Sequence, residues 1–367
     1  AATLDALGVD YIEGGWPGAN QTDDAFFGDL PRMQRARISA FGMTRRSGRS
    51  AENDPGLSAV LNAPVQAVCL VGKSWDFQAT VALGVDLDEN LRMVSDSIGH
   101  AARVKAEAMF DAEHFFDGYK ANPDYALACV RAAYQAGARW VVLCDTNGGT
   151  LPHEIEAIVA KVTEGVPGTH VGIHCHNDTG NAVANSLAAI RAGARQVQGT
   201  INGLGERCGN ADMMAIIPNL VVKMGMKTNV GADKLKHLTS VSRMLDERLN
   251  RASDPHRAYV GAAAFAHKGG LHASAVLKDP RAYEHIRPEQ VGNQRHVLVS
   301  DQAGRANLLA RLAEIGIEVD PSDPRLPTLL VRWATRPGAP PPLGRPKPGP
   351  SPSPNSSPSP NPKRHPH

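Results

Sequence analysis

HVGIHCHND (residues 170–178) begins as an apolar, β-branched run and closes in polar residues. Residues two apart on a strand project from the same face, so His174 and His176 share one side while Cys175 points to the other. Thirty residues upstream, WVVLCDTNGG (140–149) has the same construction, and QVQGTINGLGE (196–206) repeats it downstream. Four earlier runs complete the series: DYIEGGWP (10–17), RISAFGMTRR (37–46), QAVCLVGKSW (66–75) and MFDAEHFFD (109–117). Longer helical patterns separate them, which predicts repeated βα units around a parallel sheet. Helix starts are marked by Asp86 with Glu89, a capping box, and by Asn122 before Pro123. Gly137, Gly165 and Gly193 stand where left-handed helix ends are wanted.

Seven units are one short of an eight-stranded barrel, and the sequence opens in a helical pattern, ATLDALGV (2–9), directly before its first strand. The expected fold is therefore α/β, a (β/α)8 TIM barrel lacking its first strand, over residues 1–225. From 226 to 320 the alternation stops, and KLKHLTSVSRMLDERLN (234–250) and QAGRANLLARLAEIG (302–316) predict a helical subdomain. Residues 321–367 are expected to be a disordered tail, because the Pro, Ser and Gly that dominate from 337 cannot bury enough apolar surface to offset chain entropy.

The 39 Lys and Arg against 37 Asp and Glu leave a net charge of +2, too little to draw nucleic acid or anionic lipid. No stretch is long and apolar enough for a membrane span, and the N-terminal residues lack the order of a signal peptide. Five scattered cysteines with no Cys-x-x-Cys spacing fit reduced thiols, and the expected location is cytoplasmic.

Polar residues at the C-terminal ends of barrel strands line active sites. There, His174 and His176 have the types and spacing to hold a divalent cation, with Asn177 and Asp178 as candidates to orient them. Glu113 and His114 end another strand as acid/base candidates or as a solvated rim. Thr146 is placed to hydrogen-bond a carboxylate or to cap its turn, and Glu206, Arg207 and Asn210 lie in a Gly-rich loop that approaches a ligand or merely turns. Outside the barrel, spacing assigns no role to His267, His272, Tyr283 or His285.

Taken together, YIEGGWPGAN, GKSWD, DAEHFFDGYKANP, LCDTNGGTLPHEI, GIHCHNDTG, QGTINGLGERCGNAD, AFAHKGGLH and LVSDQAGRANLL occur in one order across residues 1–320. The set resembles the acyltransferase family of 2-isopropylmalate, homocitrate and citramalate synthases, and looks most like its citramalate branch. The resemblance implies metal ligation by His174 and His176 with Asn210 completing or supporting the site, Glu113 as an active-site glutamate, and Thr146 on the carboxylate of a 2-oxo acid. It also implies that His272 and Tyr283 reach a neighbouring subunit's barrel in a domain-exchanged homodimer and help to activate acetyl-CoA. The implied reaction is a Claisen-type condensation of acetyl-CoA with pyruvate, dependent on Mg²⁺, Mn²⁺ or Zn²⁺, in isoleucine and branched-chain amino-acid biosynthesis. Other readings are condensation with another 2-oxo acid, a metal-dependent barrel lyase or aldolase, and a non-catalytic fragment.

Members of that family open the barrel with a strand ending in an Arg-Asp-Gly motif, whose Asp binds the metal and whose Arg stabilises the oxyanion. This sequence contains neither at its start. The chain as it stands is expected to be weakly active or inactive, and to lack the family's C-terminal regulatory domain. Both ends read as products of an incomplete gene model or a shifted reading frame.

Overall fold

A computed structural model describes residues 1–268, 270–297, 305–314 and 316–334. The tail expected beyond Ala334 lies outside the described residues. Two compact units are present: Ala1–Phe265 with Glu284–Arg295, and Ala266–Tyr283 with the described residues from His296 on.

The first unit is built on seven parallel strands in sequential order: β1 (Tyr11–Glu13), β2 (Arg37–Met43), β3 (Ala67–Lys73), β4 (Glu107–Glu113), β5 (Trp140–Asp145), β6 (Val171–Cys175) and β7 (Gln196–Gln198). Each falls inside its sequence-predicted run or within two residues of it. The helices are α1 (Ala2–Leu7), α2 (Gln21–Gly28), α3 (Pro55–Asn62), α4 (Leu87–Val104), α5 (Phe115–Ala121), α6 (Pro123–Gln135), α7 (Pro152–Thr163), α8 (Ala182–Arg191), α9 (Met213–Pro218) and α10 (Leu238–Arg248).

The sheet curls. In a flat sheet β1 and β5 would stand four strand spacings apart, about 19 Å. Instead Trp140 Nε1 on β5 donates to the Tyr11 hydroxyl on β1 at 3.1 Å, and Tyr11 in turn bonds Glu107 on β4. Gln198 on β7 likewise reaches Asp111 on β4 at 3.0 Å. Such contacts across non-neighbouring strands require the inner face to close around an interior, as in a barrel.

The two faces divide the chemistry. Outward positions carry Ala40, Val68, Leu70, Phe110, Val141, Leu143, Val171 and Ile173, all buried against the helices in one large core. Burying each large side chain there contributes about 1.5–3 kcal/mol. Inward positions carry a smaller cluster of Ala67, Cys69, Met109, Trp140, Val142 and Cys144, with polar residues above it.

Capping follows the sequence with informative exceptions. Asp86 accepts from the Glu89 amide at the start of α4, but the Glu89 carboxylate turns away to Arg45 at 2.7 Å, so only half of the capping box forms. Asn122 caps α6 through the Tyr125 amide. Gly137 (φ +103°) and Gly193 (φ +121°) adopt the left-handed conformation expected of them, whereas Gly165 does not. α10 is laced to the barrel by Asn202, whose amide nitrogen donates to Asp246 at 3.0 Å and whose oxygen accepts from Ser242 at 2.7 Å.

The second unit holds β8 (Ala266–His267) paired with β9 (His296–Val297), and α11 (Gly270–Lys278), α12 (Arg305–Glu314) and α13 (Leu326–Ala334). Helix α13 falls in the stretch assigned to the tail, because its apolar LPTLLVRWA run precedes the change in composition at Pro337. Among the described residues no helix is long and apolar enough to cross a membrane.

Candidate active site

β6 ends at Cys175, and its inward face presents His174 with His176 just beyond, their rings stacked with centroids 5.1 Å apart. Cys175 is fully buried on the opposite face, as the strand period requires. His176 pairs with Asn210 through an isolated antiparallel bridge, which draws the Gly-rich loop after β7 across the end of β6.

Among the described residues, two atoms at this point are buried without a hydrogen-bond partner: His176 Nδ1 and Asn210 Oδ1. Orphaned buried polar atoms are costly unless something outside the protein satisfies them. Burial, reinforced by the neighbouring His174 and Arg207, pushes the His176 imidazole down to about 4, so it is neutral and carries a lone pair at physiological pH. His174 bonds Gln198 Oε1 through Nδ1 at 2.7 Å. Two imidazoles and an amide oxygen fit a divalent cation. Among the described residues no group of three His, Cys, Asp or Glu side chains is gathered to hold a metal.

Glu113, at the end of β4, forms an ion pair with Lys73 at the end of β3. Thr146 accepts from the His114 amide at 2.8 Å, which leaves its hydroxyl proton free to donate elsewhere. His114 has a left-handed backbone (φ 55°), and its Nδ1 lies 3.0 Å from Asp117. Asp145 faces outward, where it accepts from Asn185 at 3.3 Å, and plays a structural part.

Asn177 and Asp178 do not orient the imidazoles. The Asn177 side-chain oxygen accepts from the Ala182 amide at 3.1 Å at the start of α8, and Asp178 is held by Arg207. Glu206 stands in solvent. On the second unit the rings of His272 and Tyr283 pack with centroids 4.3 Å apart, and both side chains are exposed.

Residues 1–244 match the family model described as HMGL-like. The chain belongs to the HMGL-like family. Its residues 259–328 match a second model, homocitrate synthase post-HMGL domain-like. An (R)-citramalate synthase of Aquifex aeolicus is 52% identical over 332 residues, covering 90% of this chain and 63% of that protein. The homocitrate synthase AksA of Methanopyrus kandleri is 33% identical over 319 residues, covering 87% and 77%. A hydroxymethylglutaryl-CoA lyase from Pseudomonas aeruginosa superposes with a TM-score of 0.56 at 18% identity, covering 68% of this chain and 84% of that one, a likeness of fold. The HMGL-like chain thus spans 63% of the length of the Aquifex relative.

Three inward residues of this HMGL-like barrel escaped the sequence reading. Asp111 is buried, its carboxyl raised by burial, with Cys69 Sγ at 3.1 Å and Gln198 Nε2 at 3.0 Å. Gln198 links it to His174. Glu13, at the end of β1, is exposed to solvent on one side; the protein around it, with Asp111 nearby, pushes its carboxyl up to about 7. A signal existed: Asp111 is two residues before Glu113 and Gln198 two after Gln196, the strand period that puts polar residues on the inner face.

Proposed function

We propose that this chain is the catalytic part of a citramalate synthase. The reaction joins acetyl-CoA to pyruvate: the acetyl methyl loses a proton, its carbon bonds to the keto carbon, and water cleaves the thioester to give citramalate and CoA. The observation that carries this reading is the pair of orphaned ligand atoms, His176 Nδ1 and Asn210 Oδ1, beside His174, in a chain 52% identical to an (R)-citramalate synthase.

His174, His176 and Asn210 are the residues that would hold a divalent cation. Bound there, Mg²⁺, Mn²⁺ or Zn²⁺ would supply Lewis-acid polarisation of a keto oxygen and orientation of the 2-oxo acid. Thr146 offers its free hydroxyl proton to the substrate carboxylate. Glu113, ion-paired with Lys73, stands at the strand end as an acid/base group that would act with His272 delivered by a neighbouring subunit. His272 and Tyr283 are assigned to acetyl-CoA activation in a neighbouring subunit's barrel, with residues 226–320 as the exchanged region of a cytoplasmic homodimer.

The test is thiol release from acetyl-CoA in the presence of Mn²⁺, comparing pyruvate with 2-oxoisovalerate and 2-oxoglutarate. It is run on this chain and on a version carrying an Arg-Asp-Gly strand ahead of Ala1. Release that depends on pyruvate and rises in the extended version supports the reading, because that strand restores an anionic ligand and oxyanion stabilisation. Preference for another 2-oxo acid, or release indifferent to pyruvate, overturns it.

A further inference from the structure

Gln198 stands between a buried acid and a ligand imidazole. Its Nε2 donates to Asp111 Oδ1 at 3.0 Å, and its Oε1 lies 2.7 Å from His174 Nδ1. Asp111 Oδ1 also accepts from Cys69 Sγ at 3.1 Å. With two donors already on Oδ1, a proton on Asp111 resides on Oδ2, so this arrangement holds in either protonation state of the acid. The amide orientation of Gln198 is thereby fixed: its NH₂ end faces Asp111 and its carbonyl faces the imidazole. An amide carbonyl only accepts, so His174 Nδ1 carries the proton, and in the neutral ring that leaves the lone pair on Nε2.

The chain of contacts runs through the barrel interior from β3 (Cys69) and β4 (Asp111) to β7 (Gln198) and β6 (His174). Gln198 and His174 are direct register partners on adjacent strands, which keeps the two side chains on the same face at the same height. Asp111 is 5% exposed, so water does not compete for the anchoring bond.

We propose that Gln198 is a positioning residue that locks His174 in the Nδ1–H tautomer and presents Nε2 for coordination, with Asp111 as the anchor that keeps Gln198 from flipping. This rests on the metal reading above and names what makes that site competent. Histidine ligands elsewhere owe both tautomer and orientation to such a partner, and losing it weakens metal binding about 10–100-fold.

The test uses the metal-free chain labelled with ¹⁵N-histidine. Long-range ¹H–¹⁵N correlation spectra should show His174 as the Nδ1–H tautomer, and Gln198→Leu should shift it toward Nε2–H. Mn²⁺ titration of the same proteins should show affinity falling about 10–100-fold in Gln198→Leu, and staying within a few-fold in Asp111→Asn, which keeps an oxygen acceptor for the Gln198 amide. Finding His174 as Nε2–H in the unmodified chain overturns the inference, with no variant needed. So does an unchanged tautomer and affinity in Gln198→Leu. An unmodified chain with Nδ1–H His174 but no Mn²⁺ binding overturns the metal reading and the ligand role of His174, and the tautomer signal separates that result from a failure of Gln198 to act.

Discussion

Arg207 grips the Asp178 carboxylate with two parallel bonds, Nε to Oδ1 at 2.7 Å and Nη2 to Oδ2 at 2.9 Å, and the same Nη2 reaches the Thr146 carbonyl at 2.8 Å. One guanidinium thus fastens the loop after β7 to the ends of β5 and β6, the segments that carry Asn210, Thr146 and His176. Arg207 pays for the position with a left-handed backbone (φ 52°).

Arg207→Ala is expected to cost little stability, about 0–1 kcal/mol, because both partners are partly solvated. Its effect should appear at the site: weaker Mn²⁺ binding and lower kcat/KM as Asn210 loses its fixed place. Arg207→Lys should not rescue, since an ammonium cannot make the paired contact. Urea unfolding alongside Mn²⁺ titration separates the two effects.

Gly148 occupies a left-handed position (φ +63°) where a Cβ would meet the Asp178 amide nitrogen at 2.7 Å and the His176 carbonyl at 2.8 Å. Both are backbone atoms, which cannot rotate away. Gly148→Ala should destabilise by about 1–3 kcal/mol and displace the end of β6, lowering metal affinity along with the melting temperature. A variant that melts and binds as the parent does would contradict the close approach.

Loss of a ligand should exceed loss of its support. In the version carrying an Arg-Asp-Gly strand ahead of Ala1, His174→Ala and His176→Ala are each expected to weaken Mn²⁺ binding by more than the roughly 10–100-fold typical of a supporting residue, and to abolish turnover. Isothermal titration measures the first and thiol release the second. Full affinity and turnover in both variants would remove the basis of the proposed function.

The raised Glu13 carboxyl is expected to give the barrel a pH dependence. Between its ordinary value of 4.5 and about 7, the folded chain keeps a proton that the unfolded chain has released. Stability should therefore fall as pH rises through that window. Glu13→Gln removes the ionising group, so it should raise the melting temperature at pH 8 and change it little at pH 5. Equal shifts at both pH values would mean that the carboxyl is not perturbed.

Much of this was legible in the residues themselves. The seven strands of the sheet were marked by β-branched or apolar runs, nearly all ending in polar residues, and the facing of His174 and His176 followed from a period of two. Half of the Asp86 and Glu89 capping box was misjudged because Arg45, 44 residues away, competes for the glutamate. Asn177 and Asp178 were favoured as partners of the imidazoles because they are adjacent in sequence, yet the fold turns them toward α8 and Arg207.

The sequence by itself determined the βα alternation, the two faces of each strand and the convergence of polar residues at the strand ends, because these depend on local periodicity and on steric rules acting over a few residues. Only the tertiary structure decided which inward side chains meet. Asp111 and Gln198 lie 87 residues apart on strands that are not neighbours, and they touch because the sheet curls. That curvature is a property of the whole sheet, summed from small twists over many strands, and no local pattern records where it brings a carboxylate and an amide together.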